Sequence, residues 1–112
     1  MVKKIVFIIP VLLFSSEVVC RFEEQKIICT YFIDRSDNVN GLKVRFFWRS
    51  PNGRDNRIKK FKVPPYHGSV YDYRFLPGRV QGRWKVVVTE LESNKSASAY
   101  FDINESEDFF EE

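Results

Sequence analysis

The residues of this 112-residue chain that could do chemistry are few: Cys20, Cys29, His67 and an uneven spread of charged side chains. Both cysteines fall in one stretch, VVCRFEEQKIIC, Val18 to Cys29. A cysteine at such a place can end a leader peptide, carry a lipid or close a disulfide. Lipidated cysteines of bacterial lipoproteins usually follow Gly, Ala or Ser. Cys20 follows Val19, with Glu17 three places ahead, so lipidation is not expected. If the chain turns back at Glu23-Glu24-Gln25-Lys26, an antiparallel register pairs Arg21 with Ile28 and Cys20 with Cys29. Directly opposed positions approach the spacing a disulfide needs. Two readings stand at this point: a Cys20–Cys29 bridge, or a buried, apolar-like Cys29 with Cys20 lost in a leader.

His67 sits in Pro64-Pro65-Tyr66-His67-Gly68, a turn-rich context that suits a solvated or backbone-bonded imidazole. Hydrolytic or transfer chemistry needs a nucleophile with a positioned base, paired carboxylates or metal ligands. One histidine and two cysteines fall short of a structural zinc set, and neither a phosphate-binding nor a dinucleotide glycine pattern occurs. The expectation is a non-enzyme without cofactor or metal.

Charge is the stronger signal. The overall balance is only +3, yet between Lys43 and Lys85 twelve basic residues face two acids, Asp55 and Asp72. The compensating acids gather at the end, in NESEDFFEE, where Glu105, Glu107, Asp108, Glu111 and Glu112 surround Phe109 and Phe110. That tail is expected either to stay solvated or to fold back on the basic region, its phenylalanines on apolar surface and its carboxylates against arginines.

The elements that must position these residues begin after the first fourteen, MVKKIVFIIPVLLF. Lys3 and Lys4 precede an apolar run from Ile5 to Phe14, too short to span a bilayer and suited to a signal-peptide core. The expected organisation is a signal peptide over 1–20 with cleavage near 15 or 20, a folded domain over 21–104 and an acidic aromatic tail over 105–112. Leu13-Phe14-Ser15 and Val18-Val19-Cys20 each loosely fit the small-residue rule for cleavage. The mature chain is then periplasmic or secreted, with no transmembrane span.

Past the leader the pattern has period two. Leu42, Val44, Phe46 and Trp48 alternate with Lys43, Arg45, Phe47 and Arg49, and Pro51-Asn52-Gly53 ends that strand with a turn. Arg57 to Val63 reads as a lysine-rich edge strand stopped by Pro64-Pro65. Tyr71, Tyr73 and Phe75 share a face of the next strand. Trp84, Val86 and Val88 alternate with Lys85, Val87 and Thr89, and Ala97, Ala99, Phe101 and Ile103 mark the last inward face. With Val18 to Phe22 and Lys26 to Asp34 there are seven strands, and two stacked sheets bury one face of each.

Seven short strands with Trp48 on the third resemble an immunoglobulin-like two-sheet sandwich. More narrowly, Trp48, Pro51-Asn52-Gly53 and Gly82-Arg83-Trp84-Lys85-Val86 resemble uncharacterised bacterial exported domains with a "W, P-x-G, G-x-W-x-V" pattern, over about residues 42 to 103. The chain departs from antibody-type domains in lacking a cysteine on the sixth strand. In this arrangement the third, sixth and seventh strands are neighbours, and their outward residues combine into one surface. The partner-binding candidates are therefore Lys43, Arg45, Phe47, Arg49, Arg83, Lys85, Val87 and Tyr100. For an exported chain the expected partner is a protein of the cell envelope. Anionic polysaccharide or lipid headgroups are the alternative, and single-stranded nucleic acid applies only if the chain stays in the cytosol.

Overall fold

The computed structural model describes residues 17–104. Each period-two segment forms a strand: β1 (Glu17–Glu23), β2 (Lys26–Phe32), β3 (Leu42–Arg49), β4 (Arg57–Val63), β5 (Ser69–Phe75), β6 (Gly82–Glu90) and β7 (Ser96–Ile103). They build two antiparallel sheets, β1-β2-β5 and β4-β3-β6-β7, a seven-strand two-sheet sandwich. The third, sixth and seventh strands lie side by side. β4 extends their sheet as an edge strand, whereas in a constant-type immunoglobulin domain the fourth strand joins the opposite sheet. Among the described residues no helix is long and apolar enough to cross a membrane.

The inward residues of β3 and β6 alternate as their sequences require: Val44, Phe46, Trp48, Trp84, Val86 and Val88 are all buried. Phe101 of β7 knits them together, stacking on Trp84 with ring centroids 5.9 Å apart and meeting Trp48 edge-on at 6.0 Å. Such aromatic pairs add roughly 0.5–1.5 kcal/mol each beyond their buried area.

β5 is less ordinary. Its outward face carries Tyr71, Tyr73 and Phe75, while Asp72 and Arg74 point into the sandwich. Each buried charge has partners. The Asp72 carboxylate accepts from Trp48 Nε1 at 2.8 Å and from Arg57 at 2.6 Å. Arg74 donates to the Asp55 carboxylate at 2.9 Å and to its backbone carbonyl at 3.1 Å, and its guanidinium lies 5.5 Å and 5.9 Å from the Trp84 and Trp48 rings. Burial, with Arg79 nearby, lowers the Arg74 pKa from its usual value, and Asp55 opposes that shift. These contacts join the open edges of the two sheets, since Arg57 belongs to β4 and Arg74 to β5. Asp55 is held by the 50–56 loop, where Ser50 Oγ accepts from Asp55 N at 3.1 Å and Asn56 accepts from Ser50 N at 2.7 Å.

The first hairpin has the register expected from its sequence, Arg21 opposite Ile28 and Cys20 opposite Cys29. Its loop is tighter than the expected four residues, because Glu23 and Lys26 still pair and only Glu24 and Gln25 turn, Glu24 in the left-handed region at φ 57°. Cys20 and Cys29 are bonded, their Cα atoms 4.0 Å apart. β1 also starts earlier than a domain beginning at 21: Glu17 to Cys20 belong to the strand and Val18 is buried in the core. Residues 1–16 of the leader expected over 1–20, and the acidic tail expected over 105–112, lie outside the described residues.

Candidate functional site

The ladder of the four-stranded sheet fixes which side chains share its outer face. Reading across β4, β3, β6 and β7, one row is Ile58, Phe47, Val87 and Ser98. The row on one side is Lys60, Arg45, Thr89 and Ser96, and beyond it Lys43 faces Lys62. The row on the other side is Arg49, Lys85 and Tyr100, followed by Arg83 opposite Asp102. Successive rows are about 7 Å apart along the strands and neighbouring strands about 4.8 Å apart, so cationic rows bracket an apolar one.

All eight candidate residues lie on this face. Lys43, Arg49, Arg83 and Tyr100 are exposed, and Arg45, Phe47, Lys85 and Val87 are half-buried. Several cations rest on aromatic rings: Arg49 over Phe47 at 5.8 Å, and Lys85 and Arg83 over Tyr100 at 5.5 Å and 5.8 Å. The Arg45 Nε is buried without a hydrogen-bond partner among the described residues. Seven cations (Lys43, Arg45, Arg49, Lys60, Lys62, Arg83 and Lys85) share the face with one acid of the described residues, Asp102. Asp102 pairs with Arg83 at 3.1 Å and raises its pKa by that hydrogen bond. Both partners are well exposed, so the pair contributes little to stability.

Sequence reasoning missed the contribution of β4. Lys60 and Lys62 were legible as residues of a charged edge strand, but their place beside Arg45 and Lys43 depends on which sheet that edge joins. Ile58, 58% exposed, completes the apolar row for the same reason. The other two acids of the basic region are not on this face, since Asp55 and Asp72 are engaged by Arg74, Arg79 and Arg57.

At the end of the β3–β4 ladder a cleft of about 350 Å³ is lined by Leu42, Val63, Pro64 and Pro65 together with the charged Lys43, Lys62 and Glu92. His67 is exposed in the neighbouring loop, where its carbonyl accepts from Asn38 Nδ2 at 3.1 Å. No group of three or more His, Cys, Asp or Glu side chains comes together among the described residues. The opposite sheet presents a second apolar surface, with Val19, Phe32, Tyr71, Tyr73 and Phe75 exposed and Lys26 Nζ 5.0 Å above the Tyr73 ring.

Comparison with known protein families, with characterised proteins and with solved structures finds no match to this chain.

Proposed function

We propose that this protein is an exported, non-catalytic binding domain that engages an acidic protein partner of the cell envelope through the outer face of β4-β3-β6-β7. The observation that carries the reading is a set of three like-charge pairs set directly opposite one another: Lys43 with Lys62, Arg45 with Lys60, and Arg49 with Lys85. Like charges at opposed positions of a ladder destabilise it by a few tenths of a kcal/mol each, on the order of the 0.2–1 kcal/mol that favourable pairs contribute. The isolated fold gains nothing from them, whereas carboxylates of a partner placed between them would turn each repulsion into attraction.

The apolar row supports a protein partner over a simple polyanion. Ile58, Phe47 and Val87 lie between the cationic rows, as apolar centres lie within charged rims at protein interfaces. Anionic polysaccharide or lipid headgroups would answer the charges and leave this row in water. The Cys20–Cys29 bond supports export, because disulfides persist in oxidising compartments.

The test is recovery of an envelope protein with the tagged full chain, at low and at raised salt, compared with the double variant Arg45→Glu, Arg49→Glu. The reading expects a bound protein that weakens with salt, disappears with the double variant and survives Arg21→Glu on the opposite sheet. Recovery of polysaccharide or lipid in its place, with the same charge dependence, would replace the proposed partner class. Binding that ignores the double variant would remove the face from the function.

A further inference from the structure

The sequence leaves two places where a leader could be cut, after Ser15 and after Cys20, and the fold distinguishes them. β1 pairs with β2 from Glu17 opposite Phe32 to Glu23 opposite Lys26. Four of these pairings involve residues at or before Cys20. A cut after Cys20 would leave Arg21, Phe22 and Glu23, none of them buried, as the whole of β1. It would remove Val18 from the core beside Tyr31, which is fully buried, and would leave Cys29 as an unpaired thiol inside the sandwich. An odd cysteine in an oxidising compartment invites pairing between chains.

A cut after Ser15 has none of these consequences. It places the small Ser15 at the last leader position, with the larger Leu13 at the third-last, lies two residues ahead of the first residue of β1, and leaves every described pairing intact. We propose that the peptide bond between Ser15 and Ser16 is the processing site. Water adds to the Ser15 carbonyl, which leaves as a carboxylate, and Ser16 gains a free amine. The mature chain then begins at Ser16 and carries the Cys20–Cys29 bond.

This inference rests on the export reading, and the experiment separates the two. The full-length chain is expressed in an export-competent bacterial host, fractionated, and its N-terminus and intact mass are determined before and after reduction. The expected result is an extracytoplasmic protein starting at Ser16 whose mass rises by two hydrogens on reduction. A start at Arg21, or at any residue within β1, overturns the site and leaves export standing. An uncut chain in the cytosol with free thiols overturns both. Ser15→Trp places a bulky side chain at the last leader position and should leave most of the chain as precursor. Unchanged processing of that variant to Ser16 would also overturn the site.

Discussion

Asp72 is the residue on which the two sheets' open edges depend, and its removal gives a worked prediction. In Asp72→Ala the Trp48 indole N–H, inside a fully buried side chain, loses its acceptor. An unsatisfied buried donor costs about 1–3 kcal/mol. Arg57 also loses its carboxylate, but its side chain is 34% exposed, so water screens much of that loss and it adds about 1 kcal/mol or less. The total is about 3 kcal/mol. For a domain of this size each kcal/mol moves the midpoint by roughly 4–8 °C, so the variant should melt about 15 °C lower. Urea and thermal unfolding followed by far-UV circular dichroism measure it. Asp102→Ala, which breaks an exposed pair, should lower stability by less than about 0.5 kcal/mol in the same assay. In Trp48→Phe the indole donor is already gone, so Asp72→Ala added to it should cost about 1–2 kcal/mol less than in the wild type. A loss below about 1 kcal/mol for Asp72→Ala, or one equal to that of Asp102→Ala, would show that the Asp72 carboxylate is not the buried acceptor described.

Cys20→Ser with Cys29→Ser should lower stability by about 2.5 kcal/mol, the chain-entropy value for so short a loop, and reduction of the wild type should match it in urea titrations. Lys60→Glu replaces a repulsive pair with Arg45 by an attractive one, so it should raise stability by about 0.5 kcal/mol while weakening partner binding, and lower stability would remove the like-charge argument. Gly82 has φ 123°, and a Cβ there would stand 2.9 Å from Pro51 Cγ, so Gly82→Ala should cost about 2 kcal/mol. Adding Pro51→Ala should recover only the contact part of that loss, leaving the backbone part.

The same Gly82–Pro51 contact shows what could be read from sequence. Pro51-Asn52-Gly53 and Gly82-Arg83-Trp84 are separate patterns along the chain, and each was legible as a turn and a strand start. That they touch is a property of the folded pair β3 and β6. Alternation in β3, β6 and β7 likewise separated core from surface, because one face of each strand is plainly apolar. In β5 it separated Tyr71, Tyr73 and Phe75 from Asp72 and Arg74 without saying which set is inside. The answer depends on Trp48, Arg57 and Asp55, distant residues that satisfy the buried charges. The candidate face was legible where it rests on the adjacency of the third, sixth and seventh strands. Lys60, Lys62 and Ile58 were not, since nothing local to β4 states which sheet edge it joins.

The most direct measurement of the central claim is zero-length cross-linking of lysine amines to carboxylates in intact envelopes of the source cells, with the linked peptides identified by mass spectrometry. Lys43, Lys60, Lys62 and Lys85 lie on the proposed face, while Lys26 lies on the opposite sheet and Lys95 follows β6 in the turn before β7. The account predicts links from the first four to acidic peptides of another protein, lost in the double variant Arg45→Glu, Arg49→Glu. Links from Lys26 and Lys95 as frequent as those from the face, or links only to the chain's own carboxylates, would contradict it.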